Sequence, residues 1–371
     1  MRSSRGGRVS GRFGGRGRGP SSPPQTNNIG STNITGQCGG RGSGRGGDQG
    51  RGRGINIGSD FNFEPDVIGA PTIDAVMDEA ELLSLGLSLA GFCLSRQNVC
   101  ARTNMERFKA HYAVGPLTIR ALLIDLKEEH HSLINEKDFF MALNWLKLYD
   151  TEHVLAGRWK FHEETIRDKV QAYTKKIQLL KSKKIRLDFK EFDDDEVYVF
   201  SVDGVHFTIN EVRTKPGPEW FDPKSHSAGL AYEVAVAIRS SRIVWTNGPH
   251  PASKHDMTIF RGGTKKEKTE TWEQNSLYFK IPAGKKAIGD SGYAGEPEKI
   301  AISLPGHSVA TKKFFARIKS RHETVNSRFK FFNILDHRFR HGREKHKMCF
   351  EAVCVIVQYD MENGHPLFEV K

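Results

Sequence analysis

The chain has little cysteine. Its five cysteines, at 38, 93, 100, 349 and 354, are odd in number, and none forms a CxxC pair or a zinc-ligand spacing. That excludes a disulfide-stapled scaffold and a zinc module, and predicts reduced thiols in an intracellular protein. Long apolar runs are also missing. The longest, Leu82 to Leu94, has 13 residues and contains Ser and Gly, whereas a membrane span needs roughly 20; it reads as a buried helix, and no membrane partner is expected. Acids are nearly absent from residues 1–58, where ten Arg face Asp48 alone. An Arg-rich, acid-poor N-terminus suggests a transit peptide, but this one is too rich in Gly and too poor in apolar residues to form the amphipathic helix that role needs.

What is present divides the chain of 371 residues unevenly. The formal charge is +12, of which residues 1–58 carry +9, so the remainder holds 12 − 9 = +3. Any nucleic-acid contact in the folded part must therefore come from local basic faces rather than net charge. Residues 1–58 repeat RG and RGG units between Gly, Ser, Asn and Pro. Such a segment buries too little apolar surface to offset its chain entropy, and a disordered tail is expected, either solvated or holding DNA or RNA loosely through Arg.

Residues 59–190 carry helical periodicity. Leu117, Ala121, Leu122, Ile124 and Leu126 follow Pro116, and Phe139, Phe140, Leu143, Leu146 and Leu148 recur at spacings of three and four. Asp150-Thr151 offers an N-cap, Gly157 a turn, and Glu163 to Ile177 a longer helix, which is the outline of a helix-turn-helix. Arg167, Lys175 and Lys176 on its outer face are candidate DNA contacts; the alternative is a helical bundle with a solvated basic face.

From 191 to 371 the pattern turns to strands. Val197 to Val202 runs into Asp203-Gly204, with His206 to Val212 expected to return beside it. Tyr232 to Ile238, Arg242 to Thr246, Lys286 to Gly289 and Ser308 to Thr311 read as further strands, with helices from His255 and from Arg317 to Phe332. This is a mixed α/β domain.

Three acids stand where elements end or face outward. Asp203 closes the first strand, Asp290 closes the fourth, and Glu323 shares a polar helix face with Lys319, Asn326 and Lys330. With the fourth strand beside the first, both aspartates open at one end of the sheet. Three ionised carboxylates crowd together only around cations, so the cluster implies metal, and oxygen donors suit Mg²⁺ or Mn²⁺. Each acid also has a local explanation: Asp203 and Asp290 as turn formers beside glycine, Glu323 as a partner of Lys319. Asp256 competes for the second aspartate, yet an N-cap role explains it, with His255 beside it lining the site.

Five blocks carry a resemblance: SVDGVHF (201–207), GLAYEVAVAI (229–238), IVWTNGPHPASKHDMTIFR (243–261), IGDSGYAGEP (288–297) and RHETVNSRFK (321–330). In this order they resemble the Harbinger-like DDE transposases, the DDE superfamily endonuclease group, over roughly residues 100–371. The resemblance implies an RNase H-like core with Asp203, Asp290 and Glu323 as catalytic metal ligands for two ions, preceded by an all-helical domain. It implies DNA as partner, strand cutting and joining as reaction, a nuclear location and action as a homo-oligomer. The interval between Asp290 and Glu323 holds 32 residues. Lys319 and Lys330 fall where related enzymes place basic DNA contacts, while Ala316 stands where those relatives carry Tyr. Two rival functions remain: a catalytically silent, domesticated DNA-binding protein, and an RNA-associated protein acting through its tail.

Overall fold

In a computed structural model of the protein, residues 76–93, 95, 100–130, 134–210 and 217–370 are described, and they fall within one compact unit. The RG-rich tail lies outside the described residues. Four of the five cysteines, 93, 100, 349 and 354, are described, and Cys100, Cys349 and Cys354 are free thiols. Among the described residues no helix is long and apolar enough to cross a membrane.

Among the described residues, six helices of two or more turns come first: α1 (Glu79–Leu89), α2 (Ala101–Tyr112), α3 (Pro116–His130), α4 (Glu136–Leu148), α5 (Glu152–Trp159) and α6 (Glu163–Leu179). Helix α1 starts on a capping box, in which Asp78 accepts from the Glu81 amide and Glu81 accepts from the Asp78 amide, both at 2.8 Å. The expected turn at Gly157 is absent. Helix α5 runs through it and stops at Lys160, whose left-handed φ of 57° ends the helix three residues later than expected.

Strands β1 (Tyr198–Thr208), β2 (Phe221–Asp222), β3 (Ser227–Ala237), β4 (Ile243–Pro251), β5 (Lys286–Ile288) and β6 (Ile300–Ala301) form one mixed sheet, ordered β2-β3-β1-β5-β6, with β4 also on β3. Strands β1 and β5 are parallel, with Ser201 opposite Ile288, so the expected adjacency is realised. The expected hairpin after Asp203-Gly204 is not: β1 continues unbroken, paired with β3 from Phe200 to Thr208. Gly204 serves space rather than a turn, as described below. Ser308 to Thr311, expected as a strand, instead opens a helix. Ser308 accepts a hydrogen bond from the Thr311 amide at 3.1 Å, and this N-cap outweighs the short apolar pattern.

Among the described residues, helices α7 (Asp256–Arg261), α8 (Val309–Lys330) and α9 (Arg343–Glu362) follow, besides single-turn helices at Lys181–Lys184, Leu277–Lys280 and Asn333–Asp336. On one side of the sheet Val205, Phe207, Tyr232, Val234 and Val236 join the core of the helical layer. On the other, Phe200, Val202, Ala235 and Ala237 pack with Met257, Phe260 and Tyr293. Helix α9 is buried nearly throughout and touches α3, α6, α8 and β4. It joins the helical layer to the sheet. At about 1.5–3 kcal/mol per fully buried large apolar side chain, that interface is a main source of stability.

Candidate active site

Strand alternation sets which way each acid points. Asp203 shares its face of β1 with Ser201, which meets His322 of α8 at 2.8 Å, and its Oδ2 accepts from Asn326 Nδ2 of the same helix at 3.2 Å. Gly204 opens to the opposite face, toward α7. There a Cβ would stand 2.5 Å from Asp256 Oδ1, closer than real contacts allow, so glycine is what admits this carboxylate. Asp290 follows the last residue of β5 by two, caps the turn Ser291–Tyr293, and accepts from the Gly292 amide at 2.8 Å. A Cβ on Gly292 would lie 3.0 Å from Asp290 Oδ1 and 3.2 Å from Asp256 Oδ2. Two glycines thus clear room for three aspartates at one end of the sheet.

The electrostatics record that crowding. Burial, and then the like charge of Asp290, push the Asp203 carboxyl up to about 6. Burial also raises Asp256, with Asp290 adding to it. Behind them Glu233, opposite Gly204 in the β1–β3 register, is fully enclosed. Burial lifts it to about 8, although Trp245 Nε1 donates to its Oε2 at 3.0 Å, and its Oε1 has no partner. At neutral pH it is a neutral acid.

Glu323 is placed differently. Its carboxylate is exposed. On the helix it falls between Lys319, four residues before, and Asn326, three after, which share its stripe at 100° per residue. Lys319 lines a cavity with Asp203 and Asp290, and Asn326 bonds Asp203, so the face of α8 that carries Glu323 is the face turned to the acids. Lys330 lines a second cavity with Gly204, His206 and Lys224. His255 caps α7, its Nδ1 accepting from the Met257 amide at 3.2 Å, and is exposed. The three aspartates converge, and Glu323 stands a helical turn away from that convergence.

The candidate contacts on α6 are engaged within the protein. Arg167 forks onto Glu152 of α5 at 2.9 and 2.5 Å. Lys175 donates to Gln178 at 2.9 Å, and the Lys176 ammonium lies 5.0 Å from the Tyr173 ring centre.

Sequence reasoning missed Asn326 as a partner of Asp203, and it missed Glu233. The second had a signal: one carboxylate inside the apolar run GLAYEVAVAI. The first had none, because an Asn on a polar helix face is ordinary.

The donor set is all oxygen, with a like-charged pair at its centre, and this chemistry fits Mg²⁺ or Mn²⁺. As the side chains stand, no three Asp, Glu, His or Cys groups among the described residues form a set that could hold an ion.

Residues 202–358 match the family model of the DDE superfamily endonuclease, a span that includes Asp203, Asp256, Asp290 and Glu323. The resemblance read from the sequence is thereby supported at the level of that family. Among solved structures, a chain of the "Crystal structure of a pre-cleavage Mos1 transpososome" is similar at 9% identity, covering 78% of this chain and 97% of that one, with a TM-score of 0.23. A likeness so distant carries no argument. No curated protein matches the chain.

Proposed function

We propose that the protein is a transposase-derived DNA endonuclease with an RNase H-like core, cutting and joining phosphodiester bonds in the nucleus. The observation that carries this reading is that Asp203 and Asp290 each lie two residues past the paired stretch of parallel strands β1 and β5, which ends at Ser201 and Ile288, under a face of α8 that brings Lys319, Glu323 and Asn326. The match of residues 202–358 to the endonuclease family supports it.

Asp203, Asp290 and Glu323 would hold two divalent ions, with Asp256 as an accessory acid. When bound, such ions supply Lewis-acid stabilisation of the leaving oxygen and an activated water or 3′-hydroxyl. The protein's own groups do the rest. Asn326 holds the Asp203 carboxylate by its Oδ2, the Gly292 amide holds Asp290, and Lys319 and Lys330 bind phosphates on either side. Buried Glu233, neutral at pH 7, keeps a further negative charge out of the cluster. Helices α5 and α6, locked by Arg167 and Glu152, serve as the DNA-recognition unit, with Lys175 and Lys176 at its surface.

The test is nicking of supercoiled plasmid in Mg²⁺. Asp203→Asn, Asp290→Asn and Glu323→Gln are each expected to lose more than about 100-fold, since each removes several kcal/mol of charge stabilisation. Asp256→Asn is expected to retain cutting. One observation favours a silent, DNA-binding reading: the Glu323 carboxylate is turned to solvent. On that reading no variant alters DNA binding and the wild type does not nick.

A further inference from the structure

Beside the two aspartates lies a cavity of about 350 Å³ between the middle of β1, the end of β5 and one face of α8. This is within the lower part of the range of small-molecule sites, roughly 300–1,000 Å³. Ile288, Phe315 and Ile318 give it apolar walls, and Lys312 and Lys319 are exposed at its rim. Lys312 is steadied there by donating to the Pro305 carbonyl at 2.6 Å.

Apolar walls alone would suit any small hydrophobe, and lysines alone a free phosphate. An apolar cavity with cations at its mouth and two acids at its edge suits a base that still carries its phosphate. We propose that this cavity receives one nucleobase, unstacked from its neighbours, in the strand whose phosphate faces Asp203 and Asp290. The proposal deepens the endonuclease reading and rests on it.

The wall supplies a second observation. Ser201 Oγ donates to the Val236 carbonyl at 3.3 Å. His322 Nδ1 therefore carries the proton and donates to Ser201 Oγ across 2.8 Å. The other nitrogen, Nε2, is left as a buried acceptor without a partner. Base edges present the N–H donors such an acceptor lacks, and phosphates do not. A paired base inside a duplex cannot offer its face or that edge and must first be unstacked and unpaired, so a single strand enters at the lower cost.

The cavity depends on Ala316, which lines it from an exposed turn of α8. A large side chain there fills the space without touching the core. The experiment is fluorescence anisotropy of the full chain with a labelled short oligonucleotide, single-stranded and as its blunt duplex, in EDTA so that cutting does not intrude. The single strand is expected to bind more tightly than the duplex. Ala316→Trp is expected to weaken single-strand binding by about fivefold or more, the lower end for losing one base contact, with duplex binding unchanged, while Ala316→Ser matches the wild type. Equal affinity for both forms overturns the base cavity alone. So does a Trp variant that keeps the preference, or one that loses both forms equally. A wild type that binds neither form overturns the endonuclease reading along with it.

Discussion

Asp203 is held at a cost. Its pKa is displaced from 3.8 to about 6 by burial and by Asp290, a difference equivalent to about 3 kcal/mol. The folded state binds the proton more tightly than the unfolded chain, so the stabilisation is complete below pH 4 and is lost as pH rises through 6. Asp203→Asn removes that dependence. In metal-free buffer at pH 8 the variant should melt above the wild type, and at pH 4 the two should coincide. Mg²⁺ should raise the wild-type Tm and leave that of the variant unchanged. A variant that melts with the wild type at every pH would place this carboxylate in free solvent.

Glu233 follows the same sign with a later window. Its folded pKa is raised from 4.5 to about 8, so the stability it contributes declines from pH 4.5 and is gone above 8. Glu233→Gln keeps the Trp245 bond and the shape, and its melting should be flat in pH from 7 to 9, where the wild type declines. Differential scanning calorimetry across that range decides it.

At the scale of elements, α8 controls where the lysines and Glu323 stand, and Arg321 anchors it. This buried guanidinium donates to the carbonyls of Ala237, Ser240 and Phe368, tying the helix to the β3–β4 turn and the C-terminal segment. Each hydrogen bond from a charged group is worth about 1.5–3 kcal/mol. Arg321→Ala should cost about 3–5 kcal/mol, read as a shift in the urea midpoint, and should reduce nicking more than loss of folded protein explains. A midpoint within experimental error of the wild type would show that the anchor is idle.

Elements with a local signature were legible in the sequence. Pro116 and the spacing that follows it mark α3, the alternation from Tyr232 to Ile238 marks β3, and the apolar run before Gly289-Asp290 marks β5. The misreadings occurred where local and distant causes compete. Asp203-Gly204 has the composition of a turn, but Gly204 is required by Asp256, more than 50 residues further along the chain, and nothing nearby records that. Ser308 reads as an N-cap only once the chain after it is known to be helical. Helix α9 left no amphipathic stripe, because it is covered on nearly every side and its residues from Cys349 to Tyr359 are uniformly buried. Within the site, both aspartates were readable from their neighbouring glycines, although only Asp290 follows a strand end and Asp203 lies inside β1; the Asn326 bond depends on the tilt of α8, which no spacing encodes.

For the whole molecule, α9 is the decisive feature. The helices of residues 79–179 and the facing side of the sheet share one core, and each lays apolar side chains against this one helix. Gln358 extends the tie by accepting from the Ile243 amide at 2.7 Å and donating to the Ser241 carbonyl at 3.1 Å. A chain ending at residue 342 should therefore yield no cooperative melting transition, although every predicted catalytic residue is present; a sharp transition in that truncation would contradict this account. Synthesis runs from the N-terminus, so the keystone is made after both of the layers that it joins. Until it emerges, a nascent chain leaves uncovered the two apolar faces that this helix joins, the kind of surface on which chaperones act.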